Sequence, residues 1–321
     1  MIRLAILAAC VLALAGTLAH AAPKPAAQTS LQLVDLTPAF AEAADRTAGL
    51  PDAERVEAFD AALAPKLPGF YDPARFTTPG GGDRYKARLL RTLKAWPEDR
   101  AKVQDVSARF SGMFAPAVAS FEKRFGPMRG YPPVYLVHSL GEFDGGTRDL
   151  PGGERLLFGA DVIAKIHTGD HAIQPFFHHE LFHILHHRSF AGCEQVWCSL
   201  WTEGLAVYVA AELNPGAGDD ALLLTLPEPI RPAVDKDLAG AVCAVTARLG
   251  STDPKDQGAL FSFQRLSPTL PPRFGYYVGY LVARELARTH SLDELAHLDV
   301  GHARPLVAAA LGRLAACPPP P

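Results

Sequence analysis

Phe176-Phe177-His178-His179-Glu180-Leu181-Phe182-His183-Ile184-Leu185-His186-His187 is the stretch that decides how this chain is read. Inside it, His179-Glu180-Leu181-Phe182-His183 is an HExxH match within a run of helical period. Histidines at i and i+4 share one helix face, so both imidazoles reach a single ion. Zinc accepts such nitrogens at about 2.0–2.1 Å. Glu180, beside the first histidine, is placed to take a proton from a water at the metal without being a ligand itself.

A catalytic zinc needs a third protein ligand and one open position. The metzincin continuation, HExxHxxGxxH, does not fit. His186 stands at its glycine position and Ser189 at its third histidine, and with methionines only at 1, 113 and 128 there is no downstream Met-turn. The other common solution is a glutamate on a following helix. Trp201-Thr202-Glu203-Gly204-Leu205-Ala206-Val207-Tyr208 supplies one, with nineteen residues between His183 and Glu203.

This pattern resembles the gluzincins, the clan of thermolysin-like and aminopeptidase-N-like zinc peptidases, and the Trp-x-Glu-Gly-x-Ala-x-Tyr context is most like the aminopeptidase-N branch. A weaker similarity, to predicted bacterial zinc proteases, extends over residues 130–290. The resemblance implies one Zn2+ held by His179, His183 and Glu203, with Glu180 as general base and a peptide or protein as substrate. It implies an α+β fold, mostly helical and zincin-like, with a small β-sheet over the HExxH helix. Related enzymes take an oxyanion donor from a downstream helix. Here Arg273-Phe274-Gly275-Tyr276-Tyr277-Val278-Gly279-Tyr280 opens one after Pro271-Pro272. Tyr276 and Tyr280 share a face and are the catalytic candidates, while Tyr277 points elsewhere; aromatic packing beside Gly275 and Gly279 is the competing reading.

Two departures stand out. Val207 occupies the position where thermolysin-like enzymes carry an aspartate that supports a liganding histidine. Gly159-Ala160-Asp161-Val162-Ile163 echoes the substrate strand of the aminopeptidase branch but lacks its amine-holding glutamate, leaving Asp161 as the nearest substitute. Aminopeptidase specificity is therefore not implied. Of the remaining histidines in the stretch, His186 lies near His179 on the helical wheel and is a candidate to support the site, whereas His178 and His187 point away.

Outward from this segment, β signals cluster between Pro132 and Ile163. A short strand is expected at 134–138. A second begins at 156–158, extended by Val162-Ile163, and residues 156–160 are expected to form the sheet edge that pairs with substrate. Residues 142–153 read as a Gly/Asp-rich loop. Helices are expected over 37–67, 84–96, 101–125, 170–187, 200–213, 232–249, 273–289 and 306–316, with Pro97 separating the third from the second and Pro116 kinking or splitting it.

The whole chain has 321 residues, 48% hydrophobic and 20% charged, which is a globular composition. A net charge of −3 gives no electrostatic reason to expect nucleic acid or an anionic membrane as partner. Met1-Ile2-Arg3, an apolar run over 4–18 and Ala19-His20-Ala21 read as a signal peptide at 1–21, so the protein is expected to be exported, periplasmic or secreted, with no membrane span after cleavage. A linker at 22–30, an N-terminal helical region at 31–130, a zincin-like catalytic domain at 131–317 and a disordered polyproline tail at 318–321 complete the expected organisation. Four cysteines remain after cleavage, Cys193, Cys198, Cys243 and Cys317. An even count in an oxidising compartment points to two disulfides, and of three connectivities Cys193–Cys198 with Cys243–Cys317 is the expected one. The functional expectation is an exported zinc peptidase. The alternatives are a non-catalytic zinc-binding module of the cell envelope, which has no need of Glu180, and a non-peptide metallohydrolase on the same scaffold.

Overall fold

The computed structural model describes residues 30–167 and 173–318. The expected signal peptide, all of the linker except Ser30, and all of the tail except Pro318 lie outside the described residues. In chain order the elements are β1 (Leu33–Asp35), α1 (Thr37–Arg46), α2 (Asp52–Leu63), α3 (Gly81–Phe125), β2 (Val134–Val137), β3 (Gly145–Leu150), β4 (Gly153–Gly159), α4 (Ala160–Ile166), α5 (Ile173–His186) and α6 (Val196–Leu213). The rest is helical: α7 (Arg231–Lys236), α8 (Leu238–Thr246), α9 (Pro254–Phe261), α10 (Phe274–Leu286), α11 (Leu292–Ala296) and α12 (Val300–Leu314). The class is α+β, with one small mixed sheet among many helices.

The sheet has the order β1-β2-β4-β3; β1, β2 and β4 run parallel and β3 pairs antiparallel with β4. Strand β1 ends at Asp35, whose carboxylate accepts from the Thr37 backbone N–H at 2.8 Å and turns the chain into α1. Between β3 and β4 the closing pair is Leu150–Gly153, so Pro151 and Gly152 form a two-residue turn, with Gly152 at φ +91°. Residues 142–153, expected as a loop, therefore contain strand β3. This also moves the sheet edge: β4 lies inside the sheet, and the edge on its side belongs to β3, with β1 forming the opposite edge.

Val162-Ile163 do not extend the strand; they belong to α4. The chain leaves the sheet at Gly159, where a Cβ would collide with the Phe143 carbonyl oxygen. Asp161 then accepts from the backbone N–H groups of Ser139 at 2.6 Å and Gly141 at 2.7 Å, which ties the loop after β2 to the start of α4. Asp161 is buried and its oxygens are committed, so it offers no anchor for a substrate amine.

Helix boundaries follow local chemistry. The helix expected over 37–67 is broken by Pro51, which disfavours helical backbone at Leu50 and leads into α2. The one expected over 232–249 breaks at Asp237, whose side chain accepts from the Gly240 N–H at 2.9 Å and caps α8. By contrast, α3 runs unbroken for 45 residues through both Pro97 and Pro116. A proline removes the hydrogen bond to the carbonyl four residues back. For Pro116 that carbonyl belongs to exposed Gly112. For Pro97 it belongs to fully buried Leu93, and there the Arg55 guanidinium of α2 reaches in and donates to Leu93 O at 3.0 Å.

Helix α3 spans the molecule. Its first half packs Trp96 against Phe40 of α1, rings 5.2 Å apart, and its second half packs Phe110 and Phe114 against Phe158 of β4 and Phe177 of α5. Residues 31–130 and 131–317 thus share one core and one sheet. The cysteines pair as Cys193–Cys198 and Cys243–Cys317, with Cα atoms 6.0 and 5.2 Å apart. The first bridge lies at the entry to α6; the second ties α8 to the chain after α12.

Arg55→Met keeps the apolar stem but leaves Leu93 O without a donor, so urea unfolding should show a loss of about 1–3 kcal/mol. In a Pro97→Ala background, where the helix N–H returns, the same substitution should cost much less. Equal losses in the two backgrounds would show that Arg55 does not compensate for the proline.

Candidate metal centre

Helix α5 is held from behind before it presents anything in front. The Phe177 ring sits 5.3 Å from Phe110, 5.2 Å from Phe114 and 5.3 Å from Phe158. Next to it, fully buried His178 donates from Nε2 to Ala117 O at 3.1 Å and accepts at Nδ1 from the Asn214 amide at 2.7 Å. Burial holds this ring neutral, its pKa pushed down to about 4. These contacts fix the rotation of α5 about its axis, and His179, Glu180 and His183 turn to the opposite side, into a cleft of about 490 Å³.

Helix α6 brings Glu203 to the same point. Nε2 of His179 and Nε2 of His183 are 3.0 Å apart, and Glu203 Oε2 lies 3.2 Å from the first and 3.4 Å from the second. Tetrahedral ligands at zinc bond lengths are separated by about 3.3 Å. Two imidazole nitrogens and one carboxylate oxygen at this spacing fit such an ion. Burial opposes charge on His183, but Glu203 overcomes it and lifts the imidazole pKa to about 9. Burial likewise opposes charge on Glu203, yet the two histidines hold its carboxyl far below the ordinary range.

Glu180 sits beside this triangle, 7% exposed, and its Oε2 is buried without a hydrogen-bond partner. Burial pushes its carboxyl up to about 8, against the pull of His183. Strand β3 passes directly over it. A Cβ on Gly145 would lie 2.6 Å from Phe176 Cζ and 3.0 Å from Glu180 Cγ, so only glycine lets the strand come this close.

The α6–α10 crossing sets the far wall. A Cβ on Gly204 would collide with the backbone of Gly279, and one on Gly279 would lie 2.8 Å from the Gly204 Cα. This backbone contact, one residue after Glu203, carries Tyr276 to the centre, its ring 6.3 Å from that of His179. Burial raises the Tyr276 hydroxyl well above its usual range and keeps it a donor. Tyr280, one turn on, lies away from the cleft lining and packs on Tyr208 and Tyr277, with rings 5.9 and 5.8 Å apart. The two tyrosines expected to act on one face are thus separated. Tyr277 donates to Asp235 at 2.9 Å and does point elsewhere.

His186 is stacked between Phe182 and Phe190, at 5.2 and 4.9 Å, with no partner for either nitrogen, and His187 faces Glu154 at 3.4 Å. Among the described residues no carboxylate hydrogen-bonds Nδ1 of either candidate ligand histidine, and none of them stands in for the aspartate whose position Val207 occupies.

Several cleft residues escape a sequence reading. Asp144, just before β3, holds His167 at 3.0 Å, and that ring stacks on Phe176 at 4.4 Å. Arg148 stands on β3 and Arg273 at the start of α10. The signal for the first was Pro151-Gly152 between two short runs, a hairpin cue outweighed by the density of Gly and Asp. No local signal marks Arg273.

Gly279→Ala should force α10 away from α6, costing about 1–3 kcal/mol in urea unfolding. It should also weaken metal binding although every donor atom is retained. Gly312→Ala, on the open face of α12 with nothing within 4 Å of the new Cβ, should instead stabilise the protein, by about 0.5–1 kcal/mol. Comparable effects at the two positions would rule out the close crossing.

No protein-family model, curated protein or solved structure matches this chain, so its function is read from the geometry of the site itself.

Proposed function

We propose that this protein is a zinc-dependent peptidase that hydrolyses a bond inside an extended peptide lying along β3. The observation that carries the reading is the triangle of His179 Nε2, His183 Nε2 and Glu203 Oε2, with edges of 3.0, 3.2 and 3.4 Å, beside a buried and unpartnered Glu180. Bound there, zinc would supply a dication that polarises a carbonyl oxygen and acidifies water. Glu180 accepts the proton of the attacking water and returns it to the leaving nitrogen. Tyr276 remains un-ionised and donates a hydrogen bond to the oxygen on which negative charge develops.

The sheet edge favours a peptide over other substrates. In a two-residue hairpin closed by Leu150 and Gly153, the hydrogen-bonded pairs recur at Arg148 and Gly146. The backbone N–H and C=O of Thr147 therefore face the free edge, where an extended chain adds as a further strand. With Asp161 committed to backbone donors, nothing at its position holds a free amine, which favours an internal bond. The two disulfides suit an exported protein. A purely zinc-binding module would gain nothing from burying an unpaired carboxylate, which costs free energy.

The purified protein should carry one zinc per chain by elemental analysis, and His183→Ala with Glu203→Ala should remove it. Stoichiometric zinc in that double variant would exclude this centre. Glu180→Gln should keep fold and zinc but lose about 10²–10⁴-fold in peptide hydrolysis. Tyr276→Phe should lose less, and Tyr280→Phe should leave the rate unchanged. Cleavage that Glu180→Gln leaves intact would remove Glu180 as the base.

A further inference from the structure

The charges around the cleft do not balance. Glu142 on its rim is ion-paired twice, with Arg75 and Arg88, each at 2.6 Å, and Asp144 is held by His167. Glu203 is engaged by His179 and His183, at 3.2 and 3.4 Å, and Glu180 has neither Arg148 nor Arg273 within ion-pair distance. Two guanidiniums remain. Among the described residues neither Arg148 nor Arg273 has a carboxylate within ion-pair distance, although both line the cleft.

Both are held in place by neutral groups. Arg148 lies over the Phe143 ring at 4.1 Å and donates to its neighbour's carbonyl, Thr147 O, at 2.7 Å. That carbonyl faces the free edge of β3, so this guanidinium stands where an incoming strand must pass. Arg273 begins α10 from a left-handed backbone, φ +64°, a conformation that costs free energy for a residue with a side chain. Its guanidinium lies 4.6 Å above the Tyr276 ring and donates at long range to Leu223 O and Leu226 O, at 3.4 and 3.3 Å. One arginine thus stands on the β3 wall and the other on the α10 wall of the cleft that His179 and His183 also line. Half-buried and aromatic-backed, they are set to accept anions: guanidinium forks match carboxylates, and such charge-assisted bonds are about twice as strong as neutral ones.

We propose that the cleft selects acidic peptides, with Arg148 and Arg273 receiving substrate carboxylates on the two sides of the bond that is cut. This rests on the peptidase reading for the cutting, but the recognition can be measured without it. The probes are two fluorescein-labelled alanine-based peptides, one with Glu at three central positions and one with Gln at the same positions. Anisotropy reads their binding to zinc-loaded Glu180→Gln protein. The Glu peptide should bind about tenfold tighter or better, and the preference should shrink as salt is raised. Arg148→Gln and Arg273→Gln should each reduce the preference and together abolish it, with zinc content unchanged. In the wild type the same preference should appear in KM rather than kcat. Equal binding of the two peptides, or a preference that survives in the double variant, overturns the proposal. Acidic binding without cleavage by the wild type would uphold recognition and sink the peptidase reading; equal cleavage of both peptides would do the reverse.

Discussion

Gly204 and Gly279 let two helix backbones touch, and the site is built outward from that contact. Helix α6 carries Glu203 one residue before the crossing, and α10 carries Tyr276 less than one turn before it. With side chains at either position the helices would stand apart by the width of a methyl group, and the carboxylate oxygen would no longer lie within 3.4 Å of both imidazoles. The tolerance of a metal centre is a few tenths of an ångström, so a backbone contact is a better ruler than a side-chain one.

The third helix of the centre is positioned by other means. Helix α5 is backed by phenylalanines from α3 and β4 and keyed by the buried His178, which bonds α3 on one side and the residue after α6 on the other. Apolar packing supplies the energy, and the hydrogen bonds at the two ring nitrogens supply the orientation. That division of labour explains why a histidine sits in the core beside a candidate ligand: a second phenylalanine would pack there, but it would not fix the rotation of the helix.

The candidate donor set stood out in the sequence because its chemistry has a local period. His179 and His183 declare themselves by i, i+4 spacing, and Glu203 by its context on the next helix. The even cysteine count pointed to two bridges, and of three connectivities the expected one, Cys193–Cys198 with Cys243–Cys317, is the one formed. The walls were not. Strand β3 hides among glycines and aspartates that resemble a loop, because an edge strand needs no alternating apolar face. The length of α3 was hidden by Pro97, since the group that makes the proline tolerable, Arg55, lies on another helix. Tyr276 and Tyr280 look equivalent on a wheel; which of them meets the centre depends on where α10 crosses α6, a fact of tertiary structure.

Strand β1 and helix α3 have a consequence for modularity. The segment from 131 onward contains every candidate donor, and in a sequence it looks like a unit that could be excised or transplanted. Yet its sheet takes its outer parallel strand from residues 33–35, and the aromatic backing of α5 comes largely from α3. An excised segment would expose the edge of β2 and the rings of Phe158 and Phe177 together, an unpaired strand beside bare apolar surface, which is the combination that drives aggregation. Shuffling of this centre between proteins would therefore have to carry the N-terminal third with it.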